Sequence, residues 1–324
     1  MKAAIYTKYG PPEVVRLRDI PTPIARKGEV LIRIRATTVS SADWRMRSLN
    51  MPRGFGLLGR LMFGIFKPRN PVLGLSFSGD VVACGDGVTR FDAGDAVFGV
   101  SSVMKLGCHA EFIALKESAI ILRKPNGLSH EHAASLTFGG ATALYFLRDR
   151  AHIQAGERVL VVGASGTVGS ACVQIAKYFG AHVTAVCSGK NAAFVQGLGA
   201  DAVIDYRAED LTARPEKWDI LVDCAGTTSF ASHKHLLAAG GRHCFVLSGL
   251  GEMLRALFSR QRDGRRALAG TGGETRENIQ LLAELAVSGA VVPPIDSEYR
   301  LDDIVAAHRR VDTGRKRGAV VVLP

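Results

Sequence analysis

The chain contains no C-x-x-C pair, and its six cysteines, at 84, 108, 172, 187, 224 and 244, stand far apart. That excludes a thioredoxin-type dithiol and a four-cysteine zinc lobe. Cys172, Cys187, Cys224 and Cys244 fall in apolar stretches and read as small buried hydrophobes. No apolar run approaches the roughly 18 residues that cross a bilayer, so no membrane span is expected. The opening MKAAIYTKYGPPEV lacks an apolar h-region and a cleavage-like site, which gives no sign of export and makes a cytoplasmic setting the expectation. No internal repeat, low-complexity tract, recognition helix, RNA-recognition or zinc-finger signature is present, and nucleic acid is not expected as a partner.

What is present fits a globular chain: 47% of the 324 residues are apolar, 22% are charged and 36 are glycine. This length exceeds one ordinary core, so two domains are expected. The formal charge of +11 is spread along the chain, with one concentration at Arg255 to Arg266. It reads as a solvated basic surface, or in part as the mark of an anionic ligand such as a phosphorylated cofactor.

The first part reads as β-rich. Strand-like runs occur at Lys2–Thr7, Glu13–Asp19, Glu29–Ala36, Phe77–Cys84, Asp95–Val100 and Ala110–Leu115. Within the third, Ile32 and Ile34 alternate with Arg33 and Arg35, the period of a half-buried strand. From about Leu128 the rhythm changes. A helix over Glu131–Arg150 leads into a strand at Arg158–Gly163, a glycine-rich turn and a helix to Phe179. Strands at His182–Cys187, Ala202–Asp205, Asp219–Cys224 and Gly241–Leu247 alternate with helices at Asn191–Leu198 and Phe230–Ala239. Short apolar runs separated by helices predict a doubly wound parallel sheet. Helices at Thr275–Ser288 and Leu301–Thr313 follow, and a last strand, Gly318–Leu323, is expected to return to the first domain. The predicted fold is thus α/β, with 1–125 and 290–324 as a β-rich domain and 126–289 as a Rossmann domain.

The most informative stretch is Val159-Leu160-Val161-Val162-Gly163-Ala164-Ser165-Gly166-Thr167-Val168-Gly169. Counted from Ala164 it is A-x-G-x-x-G on a strand–turn–helix, one small residue from the dinucleotide fingerprint. Small residues let the backbone approach a pyrophosphate, and the helix amino terminus aims free N–H groups at it. A hydrolase elbow fails because Thr167 occupies the second glycine position of G-x-S-x-G. A P-loop fails for want of Gly-Lys-Ser/Thr. An NAD site usually carries an acid about 20 residues on. Here the second strand ends in Ser188-Gly189-Lys190-Asn191, which suits a 2′-phosphate and predicts NADPH; the alternative is that Lys190 merely opens a surface helix.

With these residues the chain resembles the medium-chain dehydrogenase/reductase superfamily, nearest to zeta-crystallin-type quinone oxidoreductases and neighbouring NAD(P)-dependent alcohol dehydrogenases. The resemblance runs through MKAAIYTKYGPPEVVRL, TTVSSADWRMRSL, FGGATALYFL, VVGASGTVG, VCSGKN, LGADAVIDY and RGAVVVLP. It implies a GroES-like substrate domain built from both termini, a central Rossmann domain and a cleft between them. By position it makes Ala164, Ser165, Gly166, Thr167, Val168 and Gly169 the pyrophosphate turn, with Ser188, Lys190 and Tyr206 about the 2′-phosphate. Thr142, Leu247 and Ser248 fall by the nicotinamide.

The departures are informative too. Zinc alcohol dehydrogenases carry Cys, His-Glu and Cys where this chain has Ser40, Leu75-Ser76 and Phe138, so no metal is expected. His130 with His132, and His233 with His235, are spaced i, i+2 and point apart on a helix. Quinone reductases commonly have Asn at Ser40 and Glu at Ser76. The resemblance places Ser40 and Asp43 at the cleft, as candidates to hydrogen-bond the substrate oxygen or relay a proton; Asp43 reads equally as a residue of a helix N-terminus. The implied activity is hydride transfer from NADPH to a hydrophobic quinone or α,β-unsaturated carbonyl, by a homodimer. An NAD(P)-dependent alcohol dehydrogenase and a non-catalytic NADPH-binding sensor or RNA-binding protein are the alternatives. Asn50–Asn70 reads as a covering loop or an apolar substrate wall, and Gly251–Arg266 as a lid or dimer-flanking segment or an amphipathic helix for anionic lipid.

Overall fold

Strand-forming runs of two kinds sort into two large sheets. The computed structural model describes residues 1–259 and 261–324. Along the chain, β1 (Lys2–Tyr6) and β2 (Val15–Asp19) precede β3 (Glu29–Val39), α1 (Ser41–Ser48) and α2 (Gly56–Phe63). Next come β4 (Ser76–Cys84), β5 (Ala96–Val100), β6 (Phe112–Lys116), β7 (Ile120–Arg123) and α3 (His130–Leu144). The middle holds β8 (Arg158–Val162), α4 (Thr167–Tyr178), β9 (His182–Cys187), α5 (Ala192–Gly197), β10 (Ala202–Asp205) and β11 (Trp218–Asp223). It continues through α6 (Phe230–His233), β12 (Leu237–Phe245), α7 (Leu250–Leu257) and β13 (Arg266–Ala269). The chain then forms α8 (Arg276–Val287), β14 (Ile295–Arg300), α9 (Ile304–Asp312) and β15 (Ala319–Leu323).

One sheet is six-stranded and wholly parallel, in the order β10-β9-β8-β11-β12-β13. Its central strands are apolar on both faces because helices cover both. Val159 and Val161 join the core beneath α4 with Cys172 and Ile175, while Leu160 and Val162 face Trp218, Leu221 and Leu236. The strand order reverses between β8 and β11, and such a switch point opens a crevice beyond the carboxyl ends of the strands. The other sheet runs β14-β15-β3-β4-β5-β7, with β6 paired to β3. In β3, Ile32 and Ile34 are buried and Arg33 and Arg35 exposed, the alternation of a strand packed on one side. β15 pairs antiparallel with β3, Val320 opposite Val39, so the last strand joins the sheet built by the N-terminal part. The fold is the expected α/β combination of a GroES-like sheet and a Rossmann sheet.

Several elements differ from the expected ones. The helix expected over Phe230–Ala239 stops at His233; a short helical turn, Lys234–Leu236, follows and β12 begins at Leu237. The fully buried Leu236 and Leu237 pull the chain down to Trp218 before the register shifts towards Ile220 and Arg242. The strand expected from Glu13 starts at Val15, because Pro12 opens a helical turn over Pro12–Val14. The helix of Glu131–Arg150 ends at Leu144 and continues as a wider π-type turn, Tyr145–Arg150. β7, β13 and β14 were not foreseen: they are short, and Ile295-Asp296-Ser297-Glu298-Tyr299-Arg300 carries no apolar alternation.

Candidate active site

The turn after β8 is shaped by close backbone approach. Gly163 takes φ +78°, and the N–H groups of Gly163 and Ala164 donate to Val186 O over 3.0 and 3.2 Å, which binds the turn to β9. A side chain on Gly169 would press on Ala164 Cα at 2.8 Å, and one on Gly139 would meet Thr167 O at 2.6 Å. Glycine at these two places lets α4 and α3 close around the turn. No side chain caps α4 and its first turn carries no acid, so its free N–H groups and positive dipole end suit an anion.

Two cavities flank this helix end. One, of about 860 Å³, is lined by Ser165, Gly166, Ser188, Lys190, Tyr206 and the arm Gly314-Arg315-Lys316. The other, of about 640 Å³, is lined by Thr142, Thr167, Val168 and Gly169, by Leu247, and by apolar walls from Trp44, Phe138 and Val246. Gly163, Gly166, Cys224 and Lys316 border both. Ala164 lies buried beneath the turn, and Ser248 lines neither cavity. A hollow of about 660 Å³ between Arg90, Arg123 and Arg276 lies away from these residues. Asp223 shapes the loop after β11: its carboxylate accepts from the N–H groups of Ala225, Gly226 and Thr228 at 2.8–2.9 Å.

The expected 2′-phosphate residues come together, and the structure adds partners that the strand-end motif did not show. Arg207 joins Lys190 on the cavity wall. Asn191 Nδ2 donates to Ser165 Oγ over 3.0 Å. The strand end itself carries no acid, yet β10 brings Asp205 beside it, with a carboxylate where a side chain on Gly189 would sit. Glu209 and Asp210 also line this cavity, against the four cations Lys190, Arg207, Arg315 and Lys316. Glu209 is offset by its ion pair with Arg214, which leaves the four cations facing the carboxylate of Asp210 on this wall.

The arm Gly314–Gly318 was not anticipated, although its Gly-Arg-Lys-Arg-Gly run was a visible signal. Lys316 Nζ donates to Thr167 Oγ1, and also to Gly318 O at 2.9 Å. Burial pushes its pKa down to about 8. Cys224 is held well above the usual thiol range by its contact with Cys172 and by burial, so it stays protonated at neutral pH.

Ser40 and Asp43 form a capping box at the start of α1. Ser40 N and Oγ donate to Asp43 Oδ2 at 2.8 and 2.6 Å, and Gly74 N donates to Asp43 Oδ1 at 2.9 Å. Asp43 is fully buried, and neither residue lines a cavity; their neighbours Ser41, Ala42, Trp44 and Arg45 do. The placement matches the helix-terminus alternative, because both carboxylate oxygens are engaged in holding backbone. Leu75 and Ser76 are buried, and Phe138 is a cavity wall. Among the described residues no group of three His, Cys, Asp or Glu side chains gathers to hold a metal ion. The Asn50–Asn70 stretch contributes nothing to the wall of the larger cavities; Met62, Phe63, Arg69 and Asn70 border a separate crevice of about 110 Å³.

A parallel sheet with a 3-2-1-4-5-6 strand order, a glycine turn at its switch point and a GroES-like sheet closing the crevice define a class of α/β oxidoreductase. Family comparison agrees: residues 26–147 match the alcohol dehydrogenase GroES-like domain and 198–322 the zinc-binding dehydrogenase family. The chain is 30% identical over 318 residues to the chloroplast envelope quinone oxidoreductase homolog of Arabidopsis thaliana, covering 94% of this chain and 93% of that one. It is 31% identical to the 2-methylene-furan-3-one reductase of Solanum lycopersicum, over 100% of this chain and 79% of the relative. The quinone oxidoreductase from Coxiella burnetii superposes with a TM-score of 0.88 at 30% identity, covering 100% and 99% of the two chains. The chain belongs to the medium-chain dehydrogenase/reductase superfamily and is quinone oxidoreductase-like within it. Members of this superfamily bind NAD(H) or NADP(H), and the chain is an enzyme of that oxidoreductase kind.

Proposed function

We propose that this chain reduces a quinone or an α,β-unsaturated carbonyl with NADPH, without zinc. The observation that carries the cofactor reading is the cavity that Lys190, Arg207, Arg315 and Lys316 line together with Ser165 and Gly166, the residues just before the uncapped α4. Those residues fit a dinucleotide with an additional phosphate. When bound, the dihydronicotinamide supplies a hydride. Thr142 and Leu247 are the residues that would hold its ring at the second cavity. Trp44, Phe138 and Val246 supply flat apolar walls to orient a planar substrate and exclude water. Ser40, Leu75, Ser76 and Phe138 stand at the metal-ligand positions of the zinc enzymes and offer no cysteine or histidine. Without a Lewis acid, a carbon already activated by conjugation is the easier acceptor. Two relatives support this substrate class: one is a quinone oxidoreductase, and the other is named for a conjugated ketone.

In this reading 1–125 with 290–324 form the substrate domain and 126–289 the cofactor domain. Two chains pair along β13, which ends the sheet with one free edge. The test is NADPH consumption with a panel of quinones and enones before and after EDTA treatment. Turnover that survives EDTA is expected. Oxidation of alcohols with NAD, lost together with a bound metal, would replace the proposal with an alcohol dehydrogenase.

A further inference from the structure

The helix α7 carries its apolar residues outward. Leu250, Met253, Leu254, Leu257 and Phe258 recur at spacings of three and four, the pattern of one helix face. Ordinarily that face is buried; here Leu257 is 74% and Phe258 87% exposed, and no residue of α7 is buried. The helix α2 repeats the arrangement, with Leu57 at 75% exposed, Leu58 and Leu61 open to solvent, and Phe66 just beyond it at 94%. The two segments touch: Leu250 N donates to Arg53 O over 2.9 Å, and Gly54 lies against the Leu250 side chain. An exposed apolar surface of this kind marks a binding face.

Charge says what the face fits. Residues 50–69 and 247–265, which stop short of β13, carry eight Arg or Lys and two acidic side chains, which places six of the eleven net positive charges in 39 residues. One of the eight, Arg260, lies outside the described residues. A second copy pressed on this face would set like charges against each other, and a soluble polyanion has no use for the leucines and Phe258. Anionic lipid answers both features, since acyl chains accept the apolar side chains and headgroup phosphates accept the arginines.

We propose that α2 and α7 together form a peripheral docking face for anionic lipid membranes. The face continues inward. Met62, Phe63 and Met104 border the small crevice together with Val103, and Val103 also lines the cavity walled by Trp44 and Phe138. Val103 thus links the crevice, which Arg69 and Asn70 also border, to the site, and gives a substrate dissolved in lipid a way in. That last step rests on the function proposed above, whereas membrane docking does not.

The test uses the full chain without cofactor or substrate, sedimented with vesicles of phosphatidylcholine alone or mixed with phosphatidylserine. Partition onto the mixed vesicles only, weakened by added salt, is expected. Exchanging Leu257→Ser and Phe258→Ser together should reduce it roughly tenfold or more. Arg53→Gln and Arg262→Gln should each reduce it roughly fivefold. All four side chains are exposed, so unchanged thermal melting controls for folding and turnover of a water-soluble quinone controls for the site. Three results would overturn the proposal: no partition onto mixed vesicles, partition indifferent to Leu257 and Phe258, or light scattering in which that double exchange converts a dimer to a monomer. The last would assign the face to a second copy.

Discussion

Arg317 Nε donates to Asn191 Oδ1 over 2.7 Å, and Asn191 Nδ2 passes the connection on to Ser165 Oγ over 3.0 Å. A second guanidinium nitrogen donates to Lys190 O at 3.1 Å. The C-terminal arm therefore holds the loop of Lys190 and the phosphate turn in one arrangement, although more than 120 residues separate them. Arg317→Ala should free that loop. A charge-assisted bond at an exposed site contributes about 1 kcal/mol, so the dissociation constants of NADPH and NADH should both rise about fivefold. Fluorescence titration of the two cofactors measures this, and unchanged constants would show that the tie does not shape the pocket.

Lys190 itself should act on one cofactor only. In the proposed NADPH reading its ammonium meets the 2′-phosphate that NADH lacks, and a charge-assisted contact to a partly exposed phosphate contributes roughly 1.5–3 kcal/mol. Lys190→Ala is expected to weaken NADPH about 10- to 150-fold and leave NADH nearly untouched. Ser188→Asp should go further and invert the preference. Asp205, already beside Gly189, would then be joined by a second carboxylate. Equal titration of both cofactors by the native protein would show that Lys190 is an ordinary surface residue.

The capping box makes a different prediction for α1. Ser40→Ala removes the hydroxyl that accepts from Asp43 N, at a cost of about 1 kcal/mol. Asp43→Ala strands the buried N–H groups of Ser40 and Gly74 and should cost about 1–3 kcal/mol for each donor left unpaired. Both variants should melt earlier, with kcat per folded molecule within a few-fold of native. A loss of turnover of a hundredfold or more at unchanged melting temperature would instead place Asp43 in the chemistry.

The parts of this site that sequence made legible are those whose information is local. Val159 to Gly169 carries a buried strand, a glycine turn and a helix start within eleven residues, and each feature constrains its neighbours in the chain. Ser188 and Lys190 follow because the next strand is equally regular. Asp205 could not be found that way: it reaches Gly189 through the pairing of β10 with β9, a relationship between strands. Lys316 and Arg317 are further still, placed by β15 returning to β3 and by the bridge between Gly166 and Gly318. For α7 the sequence leaves a lid or dimer-flanking segment and an exposed amphipathic helix both open, since Leu250, Met253, Leu254 and Leu257 mark one apolar face and only packing decides which way that face turns.

Lys316 gives the sharpest test, because burial sets two pH effects of opposite sign. Its folded pKa of about 8 lies below the 10.5 of an exposed lysine. The folded state therefore holds fewer protons than the unfolded state between these values, and stability rises with pH across that window. Lys316→Met should thus stabilise the cofactor-free protein at pH 7, with the gain shrinking as pH approaches 10.5. Binding runs the other way. The ammonium stands at the end of α4 bordering both cavities, where a bound pyrophosphate would meet it, so only the charged form helps an anion bind. Above pH 8 the native protein should lose affinity for NADPH and NADH alike, by up to about tenfold per pH unit. Lys316→Met should bind both weakly at pH 7 and show no such decline. Melting curves and titrations from pH 7 to the onset of alkaline unfolding record both effects. A native affinity that stays level through pH 9, or a Lys316→Met variant that keeps native affinity at pH 7, would remove Lys316 from the cofactor site.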